Sequence, residues 1–263
     1  MMNITIGQYY PVDSVIHRLD PRIKLLGTVV YVTMLFVAGG FLGYAIALAA
    51  LAAVVRLAQV PPVYLLRGLR AIFFIIIFTA VLNLFFNPGE TVLLQIGAVR
   101  LTLEGAVSAA RMIFRLILLI TGSSVLTLTT SPIQLTDAIE YVLKPFRRIG
   151  VPAHEIAMMM TIALRFIPTL LEEMNKIMKA QMARGADFDT GGLIKKAKSL
   201  IPLLVPLFVS SFRRADELAM AMEARCYRGD VNRTRMKVMR LVRRDYWAVV
   251  CLIGFCAVLV SIG

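Results

Sequence analysis

The sequence predicts an all-α integral membrane protein, with about five membrane-spanning helices and a cytoplasmic domain of amphipathic helices. Three observations predict it. Of the 263 residues, 59% are hydrophobic and the mean hydropathy is +0.77, above the roughly half-apolar make-up of a soluble domain. Residues 25–55 carry no charge at all. The net charge of +13 gathers between the apolar runs, as it does in loops held on the cytoplasmic side of a bilayer.

The opening stretch, MMNITIGQYYPVDSVIHRLDPRIK, lacks a compact apolar core and a small-residue cleavage site, so it is not read as a signal peptide. A single helix over 25–55 would run to roughly 46 Å, too long for an apolar core of about 30 Å. AGGFLG breaks it, predicting spans at about 21–38 and 42–58 joined by a turn at Gly39-Gly40. Gly39 and Gly43 also fit a close-packing G-x-x-x-G spacing, but the turn is the preferred use. A basic stretch with Arg56, Arg67 and Arg70 surrounds Pro61-Pro62, and the third span, AIFFIIIFTAVLNLFF, stops at Asn87-Pro88-Gly89. VLLQIGAVRLTLEG alternates enough to predict a short surface hairpin.

The fourth span, about 106–130, carries Arg111 and Arg115 four apart on one helical face. Intramembrane arginines must face protein, water or headgroups. Both lie in the first half of the span, which predicts that they snorkel to the outer interface. The last span, YWAVVCLIGFCAVLVSIG, opens on an aromatic pair suited to the headgroup boundary. The predicted domains are therefore 1–130 with four spans, 131–245 in the cytoplasm, and 246–263 as the final span. With the N-terminus inside, every basic segment is cytoplasmic and the C-terminus is outside.

Residues 131–245 hold 20 Lys/Arg against 12 Asp/Glu, with charges interrupting the apolar runs. Ser131-Pro132 starts a short helix, for which Gly150 is the stop. The run from 153 to 184 places Ile156, Met160, Ala163, Ile167, Leu170, Met174 and Ile177 on one stripe. Thr161, Arg165, Thr169, Glu172, Lys176 and Lys179 lie opposite, with Glu172 and Lys176 forming an i,i+4 pair. This reads as an amphipathic helix rather than a span, bent at Pro168. A second such helix, about 192–227, has Leu200, Leu204, Leu207, Leu218 and Met222 on its stripe, with Pro202 and Pro206 bending its first half.

Both long helices end alike, in KIMKAQMARGADF and ELAMAMEARCYRG. An arginine in a last helical turn offsets the dipole by about 0.3–1 kcal/mol. The doubling suggests more. Each arginine follows an alanine, whose small side chain leaves the guanidinium open to a carboxylate partner. The two ends read as plugs for two similar sockets.

Catalytic readings are weak by comparison. HEIAM begins like a zinc-protease motif but has Met159 where the second histidine belongs, and His17 is the other histidine of the chain. Asp187 and Asp189 could hold Mg²⁺-diphosphate in a membrane prenyltransferase, but no second acidic cluster accompanies them. Cys226, Cys251 and Cys256 have no metal or disulfide spacing. No G-x-x-x-x-G-K occurs to cradle ATP. Another class of permease would want polar groups near midplane, where Asn83 is the main candidate. Alternation with acids and a place beside the membrane argue against nucleic acid as a partner of the basic region.

The stretch GQYYPVDSVIHRLDPRIKLL closely resembles the opening of the transmembrane (T) components of energy-coupling factor (ECF) transporters, which are bacterial vitamin importers. The two helix ends resemble that family's Ala-Arg-Gly motifs, here ARG at 183–185 and ARC at 224–226. The resemblance extends over essentially the whole chain. It implies a non-catalytic scaffold in the bacterial cell membrane, in contact with lipid and belonging to a shared module. Ala183, Arg184 and Gly185, and Ala224 and Arg225, would dock in grooves of two ATPase subunits. Those partners would use ATP and Mg, and this chain would bind no cofactor or metal. One of several substrate-binding S components would rest on the amphipathic coupling helices, with Met158, Met159, Met160, Leu204 and Leu207 as expected contacts. Cys226 departs from the pattern, since glycine there would permit a left-handed stop that cysteine disfavours.

Overall fold

A computed structural model describes residues 9–86, 91–96, 99–186, 188, 192, 198–229, 239 and 241–262. The expected turn at Asn87-Pro88-Gly89 and the pair Asp187 and Asp189 lie outside them. The described fold is all-α apart from one short hairpin. α1 (Pro21–Val37) starts where the Asp20 carboxylate accepts the Arg22 N–H at 2.9 Å, the usual device for an orphan donor at a helix start. Gly39 caps α2 (Gly40–Ala58), and Gly40 turns the chain with φ +75°.

α3 (Pro62–Phe86) begins earlier than expected. Proline costs nothing in a first turn, so Arg67 and Arg70 lie in the helix rather than in a connection. Strands β1 (Val92–Ile96) and β2 (Val99–Thr102) pair antiparallel as the expected hairpin. α4 (Leu103–Thr129) is capped by Thr102.

α5 (Pro132–Leu143) opens on a reciprocal capping box, Ser131 Oγ to the Gln134 N–H and Gln134 Oε1 to the Ser131 N–H. The chain then tightens into a 3-10 turn, Lys144–Ile149, and stops at Gly150 with φ +89°. α6 (Ala153–Ala183) runs unbroken through Pro168. α7 (Ile201–Ala224) contains Pro202 in its first turn, where proline starts a helix instead of bending it. α8 (Arg243–Ile262) is last.

Among the described residues, five helices are long and apolar enough to cross a membrane: α2, α3, α4, α6 and α8. The set differs from the expected one. α1 has only 17 residues, about 26 Å of helix. α6 joins because its first half is strongly apolar, although Arg165, Glu172, Lys176 and Lys179 remain exposed along it.

The chain divides into two compact units, residues 1–139 with 239–263, and residues 140–238. In the first unit Leu35, Tyr44, Ala47, Leu51, Leu118, Val125 and Leu128 form the buried core, drawn from α1, α2 and α4. Gly122 of α4 lets the Tyr31 ring lie against the backbone, and a Cβ there would sit 2.5 Å from Tyr31 Cε1. Arg115 does not snorkel as expected. It turns inward, its Nε and Nη2 donating to the Tyr44 hydroxyl at 3.0 and 2.7 Å.

A buried polar knot closes one end of this unit. Asp245 accepts the Asp20 and Val242 N–H groups at 2.9 and 2.7 Å, and Lys24 Nζ donates to the carbonyls of His17 and Thr129 at 3.0 and 2.9 Å.

In the second unit α6 and α7 pack antiparallel. Arg214 reaches Glu173 at 3.0 Å, and Tyr227, just past the end of α7, reaches Met158 near the start of α6. Glu173, the neighbour of Glu172, thus ties the two helices together rather than pairing along α6.

Candidate docking tips

The two Ala-Arg endings fold identically. Arg184 caps α6 with φ −89°, and Gly185 follows with φ +87°. The Gly185 N–H bonds the Met182 carbonyl and the Ala186 N–H the Gln181 carbonyl, both at 3.0 Å. That pair of bonds is a Schellman motif, which satisfies carbonyls a helix end leaves orphaned. At the second tip Arg225 caps α7 with φ −92° and Cys226 follows with φ +54°. Here the Cys226 N–H bonds Glu223 O at 2.8 Å and the Tyr227 N–H bonds Met222 O at 3.1 Å.

The expectation that cysteine would disfavour this stop is therefore corrected. The two backbone bonds and the anchoring of Tyr227 hold Cys226 in the left-handed region despite its Cβ.

Ala183, Arg184, Gly185, Ala224 and Arg225 are all exposed. Neither guanidinium has an ion-pair or hydrogen-bond partner among the described residues. Because α6 and α7 run antiparallel, their C-terminal tips point to opposite ends of the pair. Tyr227 sits beside Met158, and 26 residues of α6 separate Met158 from Arg184. At about 1.5 Å per residue the tips stand roughly 35–40 Å apart.

The tips differ in bracing. The Tyr227 hydroxyl donates to Met158 Sδ at 3.1 Å and lies 3.4 Å from His154 Nε2. His154 Nδ1 in turn meets Glu140 Oε1 at 3.2 Å. The first tip has Ala186 at the corresponding place, with no side chain to anchor. His154, weighed from sequence as a metal ligand, is committed to this chain of contacts, and no metal-holding cluster occurs among the described residues.

The expected S-component contacts are split by the fold. Met159 and Leu204 are exposed, at 57% and 46%. Met160 and Leu207 are half-buried, and Met158 lies under Tyr227. The face of α7 that is covered runs through Leu203, Leu207, Arg214, Leu218 and Met222, so Leu200 and Leu204, expected on that stripe, lie off it. The open apolar row is Ile201, Leu204, Val205, Phe208, Val209 and Phe212. Its i, i+3/i+4, i+7, i+11 spacing was present in the sequence, one step round from the stripe chosen.

Known proteins match this chain closely. The profile of the CbiQ family, described as cobalt transport protein, matches residues 13–237. A relative from Thermosediminibacter oceani, named energy-coupling factor transporter transmembrane protein EcfT, is 59% identical over 250 residues, which is 95% of this chain and 94% of its own length. Proteins of the same name from Clostridium kluyveri and Acidaminococcus fermentans are 56% and 55% identical, covering 95% and 90% of this chain and 93% and 88% of theirs.

Proposed function

Since the chain belongs to the CbiQ family and to the transmembrane components of energy-coupling factor transporters, we propose that it is the scaffold through which two separate ATPase subunits drive a substrate-binding S component. The observation that carries the proposal is the pair of matching caps, each presenting an exposed arginine without a partner among the described residues, at opposite ends of one helix pair. A span of roughly 35–40 Å is too wide for one pocket and suits two subunits side by side. Each guanidinium offers a planar fork of donors to an acidic groove.

Closure of the ATPases on ATP would change the distance between their two sockets. α6 and α7, joined by Glu173–Arg214 and by Tyr227, would convert that change into relative movement of the helices. The exposed row from Ile201 to Phe212, with Met159 as a further contact, would carry the S component. ATP and Mg belong to the partner ATPases, and this chain serves as a non-catalytic lever in a shared module that accepts several S components. On this reading α1, α2, α3, α4 and α8 cross the bilayer and the α6–α7 unit faces the cytoplasm, with the N-terminus inside and the C-terminus outside, which keeps the basic segments on the inner side.

Co-purification tests the reading. With Arg184→Glu and Arg225→Glu together, both ATPases are expected to leave the complex, their recovery falling at least tenfold while the S component stays bound. Full ATPase association and uptake in that double variant would overturn the docking role.

A further inference from the structure

Between α3 and α4 lies a cavity of about 250 Å³, lined by Asn83, Ser108, Arg111, Met112 and Arg115. It sits within two membrane-spanning helices, holds two cations and has no carboxylate in its lining. The Arg115 charge is fixed but not neutralised. Its guanidinium bonds the Tyr44 hydroxyl and lies 5.2 Å from the Phe36 ring centroid, both uncharged partners. Arg111, one turn earlier on the same face, has no hydrogen bond or ion pair among the described residues. Asn83 donates one amide hydrogen to the Thr79 carbonyl at 2.9 Å, which leaves a second. Ser108 adds a hydroxyl.

A cationic group in a span must face protein, water or headgroups, and two arginines lining one acid-free cavity favour an anion there. The donors here, two guanidinium groups, a hydroxyl and an amide, match a tetrahedral oxyanion with several acceptor oxygens. Asn83 is three residues from the end of α3 and Ser108 five from the start of α4, so they lie about 5–8 Å from the hairpin end of the helices. Arg115, further along α4 than Ser108, is the lining group on that helix farthest from that end. On the same two helices Phe78, Leu82, Phe85, Val107 and Phe114 are exposed, an apolar surface along which acyl chains can lie.

We propose that this cavity binds a phosphate group, delivered by an anionic phospholipid whose headgroup enters between α3 and α4. The site is independent of the docking tips, so either assignment can fail alone.

Native mass spectrometry of the assembled transporter in detergent, titrated separately with phosphatidylglycerol, phosphatidylcholine and inorganic phosphate, tests it. Phosphatidylglycerol is expected to bind most tightly, to lose at least fivefold in affinity with Arg111→Gln and with Asn83→Asp, and to recover with Arg111→Lys. Arg56→Gln, at the exposed end of α2, should change nothing. If Arg111→Gln does not fold, Asn83→Asp carries the same test, because it adds a like-charged group to an otherwise similar side chain. Inorganic phosphate binding as well as the lipid, with the same dependence on Arg111, would keep the phosphate site and overturn the lipid as its source. Unchanged lipid affinity in both variants would overturn the site.

Discussion

Cys226 holds φ +54° at a position where its counterpart Gly185 holds φ +87° without a side chain. Left-handed backbone costs a residue with a Cβ about 1–2 kcal/mol. Cys226→Gly is therefore expected to stabilise the second tip by about 1 kcal/mol, read as a higher unfolding temperature of the purified protein.

His17 is a second case in which local geometry selects a chemical state. Its Nε2 donates to the Tyr10 carbonyl at 2.9 Å, and Ser14 Oγ lies 2.7 Å from Nδ1. Burial pushes its pKa below the ordinary 6.5, and nearby Lys24 acts in the same direction. The unfolded chain then binds more protons than the folded one. The stabilisation is full above the ordinary His value and is lost as pH falls through the lowered folded value. Thermal unfolding at a series of pH values should show that loss in the native chain and not in His17→Gln.

Among the elements, α4 shows how close approach is obtained. Gly122 accepts the Tyr31 ring where any Cβ would collide at 2.5 Å, and ring carbons cannot swing aside as a flexible chain end would. Gly122→Ala is expected to cost about 1–3 kcal/mol through overpacking between α1 and α4. Gly192→Ala, with open space where its Cβ would stand, is the control. Unequal unfolding temperatures for the two variants are the expected reading. The antiparallel setting of α6 and α7 belongs to the same scale. Neither helix alone says where its tip points, and the Glu173–Arg214 and Met158–Tyr227 contacts fix the tips at opposite ends.

Over the whole molecule, the first and last helices are tied by the knot around Asp245. Its carboxylate accepts an N–H from a residue 225 positions away, and Lys24 reaches a carbonyl 105 positions away. Asp245→Ala would strand the buried Asp20 N–H and the Val242 N–H, at about 1–3 kcal/mol for each unsatisfied group. Reduced yield and a lower unfolding temperature of the full complex are the expected outcome, and native stability in that variant would remove the knot from the account.

The sequence by itself determined the helical membrane class, the tight turn at Gly39-Gly40, the surface hairpin and the doubled arginine endings. These depend on local composition, glycine and proline positions and spacing along one helix, all of which act over a few residues. Only the tertiary structure decided that Arg115 faces Tyr44, that Asp20 meets Asp245, that Cys226 accepts a glycine-like turn and which stripe of α7 is covered. Those outcomes depend on partners tens to hundreds of residues away, and spacing within one helix carries no information about what another helix will bring to it.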